Sequence, residues 1–347
     1  MRAAVYRGRG LVRVERLPVP RIGAGEVLVR VHCCGVCHTD LKKVEHGLAP
    51  PPRVFGHETA GVIAATGPGV TDWQAGDRVA LFHHIPCGRC FYCARKLYAQ
   101  CPGYRRTGTT AGFEPAGGGF AEYVRVLPWI VRRGMVKAPA GVKLEEASFV
   151  EPVNTCLKGV ERLGVQAGEW VLAFGQGPIG LIFTQLLAWR GARVAGLDLL
   201  RRRRSLAKAL GARLSADPRS PRLAGRLSRL TGGRGADAAV LATPAEAALR
   251  QAIALTRPGA RILLFAHTRR GEEISFDAGT VTVEDKELIG CYSADVDLQA
   301  ASARLVFSRR VRVAPLISHV LPLERIAEAF ALARRPAGRA LKILVQP

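Results

Sequence analysis

The chain of 347 residues contains no uncharged apolar run of about 18 residues, the length a membrane-spanning helix requires. Its opening stretch, MRAAVYRGRGLVRVERLPVP, lacks the apolar core of a secretion signal, so a soluble cytoplasmic protein is expected. Acidic residues are scarce: 28 Asp and Glu face 51 Lys and Arg, a formal charge of +23. Such an imbalance raises nucleic acid as a partner. The basic residues are nevertheless spread along the chain, as RRRR at 201–204 and as arginine pairs at 105, 132, 269, 309 and 334. Aromatic residues make up only 6%, and no nucleic-acid module signature is present. An arginine-rich solvated surface is the better reading, with salt-sensitive, nonspecific polyanion binding but no dedicated nucleic-acid site. Internal repeats and low-complexity segments are absent as well. The nine cysteines do not have the spacing of a disulfide framework, which leaves metal thiolates as their expected use.

What the chain does have is apolar material, 48% of its residues, in a length that favours two domains over one. Up to about residue 140 it reads as short alternating strands, at 11–16, 26–32, 61–65, 77–82 and 120–126, punctuated by Gly and Pro clusters. From about residue 144 the apolar period lengthens to that of helices, which alternate with strands at 238–241 and 261–265. The expected fold class is α/β: a β-rich domain followed by a parallel, doubly wound sheet. Two helical segments at 298–308 and 323–333 and a strand at 340–345 close the chain.

Residues 171–198, VLAFGQGPIGLIFTQLLAWRGARVAGLD, form a complete strand, turn, helix and strand unit for a dinucleotide. Gly175 suits the tight turn, Gly177 the approach of a pyrophosphate and Gly180 the close packing of helix on strand. Pro178 and Ile179 open the helix, whose N-terminal N–H groups and dipole favour phosphate. Asp198 ends the second strand at the distance where a carboxylate meets the adenosine ribose, which favours NAD over NADP. Arginines 201–204, with Arg203 as the candidate cofactor contact, offer the opposite possibility of receiving a 2′-phosphate.

The sharpest metal signal is CGRCFYCARKLYAQC, in a lobe spanning about 86–102. Cys87, Cys90, Cys93 and Cys101 can close tetrahedrally on one Zn²⁺ and leave no position for substrate. An iron–sulfur cluster uses the same donors, but the chain offers no second redox centre. A second, dispersed set consists of Cys37 in GVCHTD, His57 and Glu58 in GHE, and Glu151 in EPVNTC. One thiolate, one imidazole and one carboxylate would leave a fourth zinc position open.

Through GEVLVRV, GVCHTD, FGHE, GVTDWQAGDRVAL, the four-cysteine lobe, GGGFAEYV, the Glu-Pro at 151, GQGPIG, RPGARILLF and PLERIAEAFAL, the chain resembles zinc-dependent medium-chain alcohol dehydrogenases. Within them it is most similar to the sorbitol and threonine dehydrogenase branch. The resemblance implies a GroES-like catalytic domain at 1–150, a Rossmann NAD-binding domain at 151–289 and a return segment at 290–347 completing the first, with a cleft between the domains. It also implies that Cys37, His57 and Glu151 hold a catalytic zinc with Glu58 beside or on it. Asp40 would orient His57, and Thr39 would pass the alcohol proton outward. Two zinc ions per chain, NAD, a small alcohol substrate and a homo-oligomer, dimer or tetramer, are expected. Glu151, where ethanol-type enzymes carry Cys, points to the polyol branch, whereas Lys42 and Ser293 stand where that branch often has His and Arg. The expected reaction is oxidation of a secondary alcohol in a polyol to the ketone, by a zinc-stabilised alkoxide that gives hydride to NAD. Oxidation of an amino alcohol such as threonine is the second enzyme reading. A nucleic-acid-binding protein on a dehydrogenase scaffold is the rival of another class, and the open zinc set argues against it.

NAD should exceed NADP by at least about tenfold in catalytic efficiency, roughly 1.4 kcal/mol. Asp198→Ala should narrow that preference, as steady-state kinetics with both cofactors will measure; equal use by the parent would mean that the arginines dominate.

Overall fold

Alternation writes the N-terminal sheet. Val27, Val29 and Val31 are buried while Arg30 and His32 point outward, so the strand Val27–Gly35 has one face in the core. In the computed structural model, which describes residues 1–266, 271–334 and 340–347, this strand sits in the middle of an eight-stranded sheet. It pairs antiparallel with Glu58–Thr66, with Tyr123–Val126 and with the C-terminal strand Lys342–Gln346. The register sets Glu58 and Leu344 both opposite Gly35. A Cβ at Gly35 would lie 2.0 Å from Glu58 Oε2, so only glycine leaves room for that carboxylate. A smaller sheet of Leu11–Arg16, Arg2–Gly8 and Arg53–Val54 packs its apolar side, with Tyr6 and Val5, against Phe55, Phe120 and Phe330.

The reading of residues 1–140 as strands alone missed a helix, His38–Glu45. Cys37 is its N-cap: the Cys37 sulfur accepts from the Thr39 N–H, and Asp40 accepts from the Cys37 N–H, a reciprocal cap that ties a functional cysteine to a helix start. Short polar residues in HTD conceal this helix, whose apolar stripe consists only of Leu41 and Val44.

The second half is a six-stranded parallel sheet in the order Leu214–Ala216, Arg193–Leu197, Trp170–Phe174, Ala236–Leu241, Thr256–Leu264, Glu287–Gly290. Numbered along the chain this is 3-2-1-4-5-6, the dinucleotide-binding order, with its switch point between the first and fourth strands. Trp170–Phe174 is buried at every position, as a parallel strand covered on both faces must be. The helix Pro178–Trp189 that follows is apolar around much of its circumference and buries Leu181, Ile182, Phe183, Leu186 and Leu187.

The chain divides into two compact units, residues 1–154, 295–309 and 313–347 in one, and 155–294 with 310–312 in the other. Arg312 belongs with the second because its N–H donates to Gln185 Oε1 at 2.8 Å and its guanidinium reaches the Ala209 carbonyl. Among the described residues no helix is long and apolar enough to cross a membrane. The arginine pair at 269 and the second member of the pair at 334 lie outside the described residues.

Gly180 packs so closely that a Cβ there would lie 1.7 Å from the Gly175 carbonyl oxygen. Gly180→Ala should therefore cost about 1–3 kcal/mol by overpacking. It should also weaken dinucleotide binding at least tenfold, as calorimetric melting and NADH fluorescence titration will read.

Candidate active site

The four-cysteine lobe is local chain geometry. Cys90 caps the short helix Phe91–Ala94 and Cys101 follows the turn Tyr98–Gln100. The Cys90 and Cys93 sulfurs are 3.5 Å apart, those of Cys87 and Cys93 4.0 Å, and the Cys87 N–H donates to Cys101 Sγ at 3.3 Å. All four sulfurs lie within 4.8 Å of one another, compatible with four bonds of about 2.3 Å to one zinc. The lobe's own core is only Cys93, Ala99, Cys101 and Tyr104, too little to order it by burial alone. Burial and a hydrogen bond with Cys90 push the Cys93 thiol up to about 12. Burial also acts on Cys101, but hydrogen bonds from the backbone of Cys87 and Tyr104 pull it down to about 6. Four thiols split in this way suit a dication that takes all of them as thiolates.

A second group joins Cys37, His57 and Glu58, whose ligand atoms also lie within 4.8 Å of one another. His57 Nδ1 is 3.1 Å from Asp40 Oδ1, which leaves its other nitrogen for a metal. Burial opposes a charged His57, yet the Asp40 carboxylate and the Cys37 sulfur outweigh it and raise the imidazole well above its ordinary range. Burial opposes ionisation of Asp40 as well, and the His57 ring lowers it on balance. Glu151 lies outside that set of three, although it is buried and close enough to feel His57, Glu58, Lys342 and Asp40. Burial chiefly, with the neighbouring Glu58, pushes its carboxyl up to about 7. Thr39 is half-buried two residues after Cys37, in the first turn of the helix.

Sequence reasoning missed Lys342, whose side chain enters this cluster. Its Nζ lies 2.7 and 2.5 Å from the two Glu58 oxygens, and both side chains are almost fully buried. Burial works against its charge and Glu58 prevails, so Lys342 is raised above the lysine range. Nothing in LKILVQP signals this role. Only the pairing of the terminal strand beside Gly35 places it there. Four acidic groups, Cys37, Asp40, Glu58 and Glu151, thus face Lys342 and His57, a donor set whose charge a divalent cation fits.

In the second unit Gly175 has φ +83° and Gly177 caps the helix that Pro178 starts. Asp198 accepts from the Gln176 N–H at 2.7 Å and the Leu200 N–H at 2.8 Å, which fixes the turn. Arg203 Nη1 is 3.8 Å from Asp198 Oδ2, and 3.9 Å from where a Gly177 Cβ would stand. Arg204 is engaged instead with the Asp198 and Leu199 carbonyls and with Asp217. Gly177, Pro178 and Ile179 remain half-buried, their backbone accessible at the helix start.

A 3-2-1-4-5-6 sheet with this turn, together with two thiolate-containing metal sites, defines a zinc- and dinucleotide-dependent oxidoreductase. The Alcohol dehydrogenase GroES-like domain family matches residues 23–139 and the Zinc-binding dehydrogenase family residues 178–306. The chain belongs to the zinc-binding alcohol dehydrogenases. It is 34% identical to an alcohol dehydrogenase of Geobacillus stearothermophilus over 336 residues, 94% of each chain. It is 28% identical to the sorbitol dehydrogenase of Bacillus subtilis, covering 100% of this chain and 97% of that one. A solved zinc-binding dehydrogenase from Sinorhizobium meliloti bound to NADP is similar with a TM-score of 0.88 at 26% identity, over 100% of this chain and 99% of the other.

Lys342→Met removes the cation from a buried pair and should cost about 3–5 kcal/mol at neutral pH, measurable by chemical denaturation. Near-parent stability would mean that Glu58 finds another partner. Cys93→Ser should lower the melting temperature more than turnover, and Cys37→Ser the reverse; loss of activity alone in both would dissolve the distinction between the two sites.

Proposed function

We propose that the protein oxidises a secondary alcohol of a small polyol, or a related polar substrate, to the ketone, with NAD as the preferred acceptor. The observation that carries this reading is the mixed donor set at Cys37, His57 and Glu58, with Glu151 beside it, because carboxylates make the set harder than one dominated by thiolates. A hard, exchangeable ligand set suits a chelating diol. The similarity to a sorbitol dehydrogenase supports the same substrate class.

In this reading Cys37, His57 and Glu151 hold the catalytic zinc with Glu58 beside or on it, and Cys87, Cys90, Cys93 and Cys101 hold the structural one. When bound, zinc supplies the Lewis acidity that eases loss of the alcohol proton, and the nicotinamide supplies the hydride acceptor. Asp40 holds the His57 ring in one orientation and tautomer. Lys342 holds the Glu58 carboxylate in place, and Thr39 passes the proton outward. Gly175, Gly177, Pro178, Ile179 and Gly180 cradle the pyrophosphate while Asp198 meets the ribose diol, with Arg203 at its edge. The nine free thiols fit the reducing cytoplasm. The sheet-edge strand Glu287–Gly290, with Val283 and Tyr292 strongly exposed near it in sequence, supports a homo-oligomer.

NAD turnover across a panel of polyols, simple secondary alcohols and amino alcohols tests the reading, with a polyol expected to give the highest catalytic efficiency. Preference for an amino alcohol would replace it. Metal analysis should find two zinc ions per chain. Glu151→Gln should lower turnover by orders of magnitude and weaken the metal while leaving NADH binding nearly intact. Normal turnover with full zinc occupancy in that variant would transfer the ligand role to Glu58.

A further inference from the structure

Two adjacent imidazoles beside the proposed metal centre have no part in the reaction as described. His83 and His84 follow the strand Arg78–Leu81, and the rings of His57, His83, His84 and Tyr104 form one continuous stack. Successive centroids along it are 4.7, 3.9 and 5.1 Å apart. Nδ1 of His83 and Nδ1 of His84 are both buried, and neither has a hydrogen-bond partner among the described residues. Buried polar atoms in native proteins are nearly always paired, so two orphans side by side next to a reaction centre call for a partner from a ligand.

The kind of partner follows from the ring's chemistry. Burial above all, with the nearby Lys43 cation, lowers His84 to about 3, so its ring is neutral. Nδ1 of a neutral imidazole either carries the proton or offers a lone pair, and here it has no partner in either role. A hydroxyl, which both donates and accepts, pairs with it in either tautomer, and an alkyl group in neither. An ammonium would be a donor too, but the Lys43 cation is felt at both rings and disfavours a second positive charge there.

We propose that His83 and His84 are specificity-determining residues, whose Nδ1 atoms bind a second hydroxyl of the substrate, one or two carbons from the hydroxyl that is oxidised. The distance along the substrate reflects the order of the rings, since the His83 centroid is 4.7 Å from that of His57 and the His84 ring comes next, 3.9 Å further along. The proposal rests on the reading of the protein as an alcohol dehydrogenase. It sharpens that reading, because it makes a neutral diol, and not any secondary alcohol, the preferred substrate.

The test compares 2,3-butanediol with 2-butanol as substrates for the zinc-loaded parent, His83→Phe and His84→Phe, with zinc content and melting temperature measured alongside. Phenylalanine keeps the aromatic stack and deletes the ring nitrogens. The parent should favour the diol. His84→Phe should lose about tenfold in kcat/KM for the diol and stay within about twofold for 2-butanol, with zinc unchanged and the melting temperature equal or higher, because an unpaired buried polar atom has been removed. His84→Asn, which restores an acceptor oxygen near the Nδ1 position, should recover part of the loss. An unchanged diol to monoalcohol ratio in both Phe variants would overturn the proposal, as would a lower melting temperature in both with that ratio unchanged. Oxidation of an amino alcohol in preference to the diol would overturn it in favour of an ammonium ligand. If the parent turned over neither alcohol, the dehydrogenase reading would fail separately. Calorimetric titration of the diol into the NADH complex would still decide this proposal, with weaker binding by His84→Phe supporting it and equal binding refuting it.

Discussion

The catalytic unit depends on how it keeps acidic groups in a place that water does not reach. Cys37, Asp40, Glu58 and Glu151 converge, and transfer of even one carboxylate from water into such a site is prohibitive unless it is paired or protonated. Lys342 pairs with Glu58, His57 with Asp40, and Glu151 holds its proton to about pH 7. These compensations also suit the site to a divalent cation, which Cys37, His57 and Glu58 could hold and whose charge would take over the balancing that protons supply. Stability and chemistry are thus set by one charge balance.

That balance reaches far into the scaffold. Gly35 leaves room for the Glu58 carboxylate that passes over it, and the strand Lys342–Gln346 begins with the lysine that reaches the same carboxylate. The Cys37 cap similarly links a candidate metal ligand to a helix start, and Asp40 serves the cap and the His57 ring at once. Residues with two partners each make the site stiff. The glycine turn shows the same economy: Asp198 accepts from both the Gln176 and the Leu200 N–H groups with one carboxylate.

The strong net charge has a less specific role. Many arginines are engaged locally, Arg261 with Glu169, Arg257 with Asp237 and Arg219 with Asp217, and others reach backbone carbonyls. The most exposed of these, Arg219 with Asp217, contributes little. Dispersed over the surface, the arginines match a composition spread along the whole chain and do not build a nucleic-acid module.

Much was legible in the sequence wherever function is encoded by near neighbours. The four cysteines lie within one short lobe, so spacing alone predicts that their sulfurs converge. The glycine turn and Asp198 are separated by a single helix and strand, and the apolar run Trp170–Phe174 declares a strand buried on both faces. Residues brought together from distant segments, such as Cys37, His57 and Glu58, were legible only through the family resemblance, or not at all. Lys342 is 284 residues from Glu58, and no local pattern marks it; its place follows from sheet register. The helix His38–Glu45 was hidden by its polar first turn, and the stacked His83 and His84 by their ordinary position after a strand. The sequence by itself determined most of the elements, the cysteine lobe and the glycine turn, since backbone geometry over a few residues leaves few alternatives. Tertiary structure alone decided which charges meet in the buried site, because that depends on strand pairing across the chain and on the cost of leaving a buried charge without a partner.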